Sequence, residues 1–298
     1  MTAHGSFRRI PSVARSVVGY LFERIPPHTQ GIALVGAYVC SWLWYRRFAG
    51  GEAAAVRPSE VAAFVLMFLL LRLVDDLDDV SADYPDDAEA ARSRYRNLAL
   101  GYVAACAVFV VLEFSNARSL GLLAAFVVLS ILTPTLLKRW MRPRRMLLFV
   151  GYEGMPLLAT ALPWAQWRAV AGGRVSLVTA AAVTVMFWGC YEVWKFARRP
   201  AVVGYAPYRL AWPQRRRLLL AMLISDVGLG IALIVASGAG VGFGLALAGV
   251  GAIFSAWILL APMHVGQVPI VAWLPPLGYA GLAYAFCFEV VNIVFLMR

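Results

Sequence analysis

The chain has 298 residues, of which 61% are hydrophobic and 14% charged, with a mean hydropathy of +0.73. Soluble domains are nearer half apolar and a quarter charged, so this composition belongs to a membrane protein and excludes an ordinary cytosolic enzyme, a secreted disulfide scaffold and a disordered tail. The net charge of +11, from 27 Lys and Arg against 16 Asp and Glu, first marks cytoplasmic loops in such a protein, and no nucleic-acid partner is expected.

Residues 1–28 carry Arg8, Arg9, Arg15 and Arg24 without a long apolar core, so they read as a cytoplasmic amphipathic lead-in and not as a signal peptide. Beyond them, stretches long enough to cross roughly 30 Å of hydrocarbon fall near 30–48, 59–78, 97–114, 119–137, 146–164, 175–197, 216–237, 241–260 and 276–296. Nine crossings from a cytoplasmic N-terminus place 19 basic residues inside and 7 outside, with Arg72 left within the second span. The positive-inside rule supports that orientation in a cell membrane. No internal repeat or low-complexity linker divides the chain, and residues 1–298 read as one all-α polytopic membrane domain. Cys40, Cys106, Cys190 and Cys287 all lie in apolar runs with no C-x-x-C pair, which fits small core side chains better than a zinc site.

The second span ends in an unusual density of charge. Asp75, Asp76, Asp78, Asp79, Asp83, Asp86, Asp87 and Glu89 are half of all the acidic residues. On a helix, Asp75, Asp79 and Asp83 repeat at i, i+4 and i+8 and share a face. Like charges stacked in this way repel, and more so where the site is partly dry, so a cation is expected to offset them. Oxygen ligands without His or Cys nearby select Mg²⁺, an ion that keeps several waters and shares substrate phosphates. A solvated acidic helix end is the simpler alternative, but ionisable groups within or beside a span are functional by default.

These residues also carry a resemblance. Asp75-Asp76-x-x-Asp79-x-x-x-Asp83 resembles the first aspartate-rich motif, N-D-x-x-D-x-x-x-D, of the UbiA superfamily of intramembrane prenyltransferases, with Asp75 in place of the usual Asn. With Arg72 included, the run is similar to the L-R-x-x-D-E-x-K-D-x-x-x-D pattern of a bacterial branch, Asp76 replacing Glu and Asp78 replacing Lys. The resemblance implies nine transmembrane helices around a central apolar cavity, a second polar motif after span 6, and substrate bound where the motifs face each other.

At the second motif, where the bacterial branch has E-x-x-R-K-x-R, this chain has Glu192, then Lys195 at the first Arg and Arg198 at the last, with Phe196 where Lys is usual. Glu192 is then the one carboxylate left to join Asp75, Asp76, Asp79 and Asp83 around metal. Lys195, Arg198 and Arg199, with Arg72, are expected to meet diphosphate oxygens directly. Lys138 and Arg139, with Arg142, follow span 4 at a position where basic residues of the family are thought to reach a diphosphate; plain topological charge is an equal alternative. Glu153 sits in the glycine- and proline-broken segment Gly151–Pro156, where substrate cavities are built. Glu113, Asp226, Glu289 and Asn292 also lie near or within spans; hydrogen bonding between helices is their expected role, and one or two are candidates to line the cavity.

The implied chemistry begins with an isoprenyl diphosphate such as farnesyl or geranylgeranyl diphosphate. Neutralising its leaving group by Mg²⁺ on the aspartates, with Asp75, Asp79 and Glu192 as the residues on which turnover depends, ionises the allylic carbon. The resulting carbocation must be kept from water and stabilised without a nucleophile, which aromatic faces can do. Phe68, Phe187, Trp188, Tyr191 and Trp194 lie within three turns of the motifs and are the candidate cavity wall, with lipid-facing positions as the alternative.

Two outcomes follow from one ionisation: cyclisation to a terpene, or transfer to a small aromatic acceptor. The altered second motif and the absence of a polar acceptor constellation incline the reading toward a UbiA-type terpene synthase. Besides the substrate, membrane lipid is the expected partner. A transporter with an acidic cation site is a remote third reading, since it would want its carboxylates at mid-membrane in broken helices.

Overall fold

The computed structural model describes residues 19–20, 22, 25, 30–50, 55–137, 145–170, 175–198, 212–261 and 277–298. Among the described residues there is no strand, and there are nine α-helices. They are α1 (Ile32–Phe48), α2 (Pro58–Asp83), α3 (Ala88–Glu113), α4 (Ala117–Leu132), α5 (Arg145–Val170), α6 (Leu177–Arg198), α7 (Trp212–Ser237), α8 (Val241–Leu260) and α9 (Leu277–Leu296). A single π-type turn, Thr133–Leu137, prolongs α4.

Among the described residues, six segments are long and apolar enough to cross a membrane: Ala88–Glu113, Ala117–Leu136, Leu177–Ala197, Arg216–Ser237, Val241–Leu260 and Tyr279–Leu296. They make this a membrane protein by length and composition. The other three helices are α1, with 17 residues, α2, which carries Glu60, Arg72 and the aspartates, and α5. The six segments also bear apolar side chains on their outer faces, such as Val111, Val178 and Val241, exposed at 77%, 80% and 79%. Such surface is unfavourable in water and satisfied by lipid.

The helix ends explain where the sequence boundaries shift. Helix α3 starts well before the apolar run because Asp87 caps it, accepting from the Glu89 and Ala90 N–H groups at 3.1 and 2.9 Å; such a cap contributes about 1 kcal/mol. Asn116 caps α4 by accepting from the Ser119 N–H at 3.2 Å. Pro58, whose ring suits a first helical position, opens α2, which then runs on as one helix through Asp83.

Helix α1 lies inside the bundle and packs against α2, α5, α6 and α9. Its Tyr38, Trp44 and Tyr45 are fully buried. Trp44 stacks between Phe48 and Phe243, each at 5.8 Å, and its indole N–H donates to Asn292 Oδ1 at 2.8 Å. Tyr38 and Tyr45 meet Trp167 at 5.3 and 5.5 Å. Each such ring pair contributes about 0.5–1.5 kcal/mol beyond area burial. The remaining packing follows chain order, α5 on α6, α6 on α7, α7 on α8 and α8 on α9, while α9 also packs on α6 and α2 on α5. Gly281 lets α9 approach α6 closely, because a Cβ there would lie 2.8 Å from the Trp194 Cα.

At the start of α2, Glu60, which was not anticipated, joins the expected Glu113 in a polar cluster. Buried Glu60 accepts from Arg57 Nε at 2.9 Å and from the Tyr38 hydroxyl at 3.3 Å, while the Gln166 amide donates to buried Glu113 at 2.7 Å. Hydrogen bonding to Glu60, with its charge, pushes the Arg57 guanidinium above its ordinary range. The cluster stitches α1, α2, α3 and α5 together at the end of α2 opposite the aspartates.

Candidate functional site

Asp75, Asp76 and Asp79 sit, half-buried, in the last two and a half turns of α2. That is the negative end of the helix macrodipole, where cations are favoured and carboxylates are not. The last turn holds no basic residue. Two groups answer part of the charge: Arg72 Nη1 pairs with Asp75 Oδ2 at 3.1 Å, and the Tyr20 hydroxyl donates to Asp76 Oδ2 at 2.6 Å. Tyr20 belongs to the lead-in and is itself buried, with the Arg94 guanidinium 5.7 Å over its ring. The N-terminal segment thus contributes directly to the acidic end, a role its charge pattern did not reveal.

On α6, Glu192 is fully buried and accepts from Lys195 Nζ at 3.2 Å. The Lys195 ammonium also lies 6.0 Å from the centre of the Tyr191 ring. Helices α2 and α6 meet through side chains, the Phe68 and Tyr191 rings lying 5.7 Å apart and Tyr191 resting on Trp194 at 5.6 Å.

Of these residues Arg72, Phe68, Tyr191 and Trp194 border one pocket, with about 790 Å³ of space not filled by protein atoms, while Asp75, Asp76, Asp79, Glu192 and Lys195 lie outside its lining. Helix stripes at one-turn spacing form its walls: Phe64, Phe68, Leu71 and Arg72 from α2, and Phe187, Cys190, Tyr191 and Trp194 from α6. Helices α1 and α9 add Leu34, Ala37 and Ser41, and Leu282, Ala285 and Glu289; Thr160 of α5, Ile25 of the lead-in and Gln30 just before α1 also line it. Of the expected wall residues, Phe68, Phe187, Tyr191 and Trp194 line the pocket. Trp188 does not, since it falls off the stripe of 187, 190, 191 and 194. The pocket runs from Arg72 to Phe64, about 12 Å at 1.5 Å per residue.

For Asp83, Glu153 and Arg198 the description is of the backbone, which is helical in α2, α5 and α6 respectively. Asp83 therefore keeps its one-turn register with Asp75 and Asp79. Lys138, Arg139, Arg142 and Arg199 lie outside the described residues.

Among the described residues no three His, Cys, Asp or Glu side chains converge as a metal-holding group. Mg²⁺ does not need such a group, since it is commonly held by one or two carboxylates plus water and substrate phosphate. An oxygen-only donor set at the negative end of a helix, countered there by Arg72 and Tyr20, fits that ion.

Of the four polar residues expected to join helices, three do so. Asp226 accepts from the Tyr284 hydroxyl at 2.7 Å, Asn292 from Trp44, and Glu113 from Gln166. Glu289 is the exception, and it lines the pocket. In comparisons with known proteins, no family model matches the chain, no curated protein matches it, and no solved structure matches it.

Proposed function

We propose that the protein is a Mg²⁺-dependent intramembrane enzyme that ionises an allylic isoprenyl diphosphate and cyclises the chain to a terpene, in the manner of UbiA-type terpene synthases. In this reading all nine helices cross the membrane from a cytoplasmic N-terminus, and the pocket between α1, α2, α6 and α9 is the substrate cavity. The observation that carries the reading is the pocket's polarity: Arg72 at the aspartate end, then aromatic and aliphatic walls.

Mg²⁺ held by Asp75, Asp76 and Asp79, with Asp83 in register, would supply the positive charge that neutralises the leaving diphosphate. Arg72 and Lys195 bind diphosphate oxygens, charge-assisted contacts in a setting where they are strong. Glu192 holds the Lys195 ammonium at that end of α6. Phe64, Phe68 and Phe187 exclude water and fold the apolar chain against itself, while the faces of Tyr191 and Trp194 attract the positive charge left on it. The predominance of apolar surface along the walls favours internal capture by the substrate's own double bonds over an oriented second substrate.

The test gives detergent-purified protein Mg²⁺ with geranyl, farnesyl or geranylgeranyl diphosphate, with and without an aromatic acceptor. Diphosphate release and hexane-soluble products are then measured. A cyclic hydrocarbon formed without acceptor is the expected result. A product that requires the acceptor would instead make the protein a prenyltransferase, and no diphosphate release under any condition would refute the enzyme reading.

A further inference from the structure

Glu289 is 6% exposed and lines the aromatic pocket, and among the described residues no hydrogen bond or ion pair reaches its carboxylate. Its backbone carbonyl accepts from the Cys40 thiol at 3.4 Å, which fixes this turn of α9 against α1. The space for the carboxylate is made by Gly36 on α1, where any Cβ would overlap Glu289 Oε2. The other buried acids among the described residues, Glu60, Glu113, Glu192 and Asp226, are each met by a donor. A carboxylate without one is costly in a dry interior, and the cost is offset when a ligand brings positive charge or a proton to it.

The position within the pocket says which. Gly281 of α9 is level with Trp194, so Glu289 lies two turns further along, about 12 Å from the Trp194 layer. The diphosphate end and Glu289 are therefore at opposite ends of the aromatic wall, and Phe187, which lines the same pocket, contacts Phe288, the residue before Glu289, at 6.1 Å. We propose that Glu289 is the catalytic base that ends the reaction, taking a proton from the carbocation after the chain has folded through the pocket. This inference rests on the ionisation reading above.

In the step, a C–H bond next to the cationic carbon breaks, its electron pair becomes the new carbon–carbon double bond, and the proton passes to a Glu289 oxygen. Water that enters as the hydrocarbon leaves the pocket then takes the proton and restores the carboxylate. The overall change is isoprenyl diphosphate to cyclic hydrocarbon plus diphosphate and a proton.

The test compares wild type with Glu289→Gln, Glu289→Leu and Gly36→Ala, measuring diphosphate release, the hydrocarbon-to-alcohol ratio in hexane extracts, and melting temperature. Products of the Glu289 variants are compared per diphosphate released, because ionisation occurs at the other end and the partition of products afterwards is what a base controls. Their dominant hydrocarbon should fall about 100-fold against water-quenched alcohols and mixed alkenes. Gly36→Ala, which displaces the carboxylate without removing it, is expected to shift the ratio in the same direction. Both Glu289 variants should melt no lower than wild type, since no bond is lost.

A wild-type product profile in Glu289→Gln, with release intact, would overturn the inference and leave the enzyme reading standing. A sharp fall in melting temperature in both Glu289 variants would overturn it by making the residue structural. No diphosphate release by wild type would overturn both.

Discussion

Replacing Lys195 by Met separates what the Glu192–Lys195 pair does for the fold from what it does for substrate. The two groups are 3.2 Å apart, with side-chain exposures of 0% for Glu192 and 15% for Lys195. Removing one partner of a buried ion pair leaves the other charge desolvated, at a cost of about 3–5 kcal/mol. At about 2–4 °C per kcal/mol for domains near this size, Lys195→Met should melt roughly 6–20 °C below wild type in detergent. Glu192→Gln combined with Lys195→Met removes both charges and should recover most of that loss, giving a large coupling in the double-mutant cycle. If the proposed function holds, diphosphate release should stay abolished in the double variant, because the restabilised protein still lacks the cation assigned to the diphosphate. An unchanged melting temperature for Lys195→Met would refute the energetic argument. Full turnover in the double variant would refute the placement of the site.

Asp75→Ala and Asp79→Ala are each expected to lose turnover while retaining the wild-type elution volume. Asp79→Ala should keep the wild-type melting temperature, since it removes charge from an unfavourable helix end, whereas Asp75→Ala also leaves Arg72 without its 3.1 Å partner and should melt lower. Chelation should abolish diphosphate release reversibly on return of Mg²⁺, and release that persists in excess chelator would exclude the ion. Tyr284→Phe leaves the fully buried Asp226 without its 2.7 Å donor and should destabilise the protein by about 1–3 kcal/mol with products unchanged; a wild-type melting curve would contradict that.

The helices were largely legible because apolar periodicity and length report burial or lipid contact directly. The stretch expected near 241–260 is the helix Val241–Leu260, and that near 276–296 is Leu277–Leu296. The boundaries that moved did so for reasons that hydropathy does not carry: Asp87 caps α3 within a polar loop, and α2 continues past its apolar run as far as Asp83.

Within the site, the aspartates and the Glu192–Lys195 spacing were readable because both are local on one helix. The Tyr20–Asp76 bond spans 56 positions, and a lead-in without an apolar run gives no sign of it. Glu113, Asp226, Glu289 and Asn292 are alike in sequence, each a lone polar residue near or within an apolar run. Only packing separates Asp226, which faces Tyr284, from Glu289, which faces the pocket across from Gly36. The sequence offered Glu289 only as one of four residues that could line the cavity, with no sign that Leu282 and Ala285 of α9 would share that wall.

The central claim is that the pocket ionises an allylic diphosphate. Its most direct measurement is release of inorganic diphosphate from farnesyl or geranylgeranyl diphosphate by purified protein in Mg²⁺, with no acceptor present. Release that depends on both Mg²⁺ and Asp79 is the predicted result; substrate recovered intact, or release equal in Asp79→Ala, would contradict it.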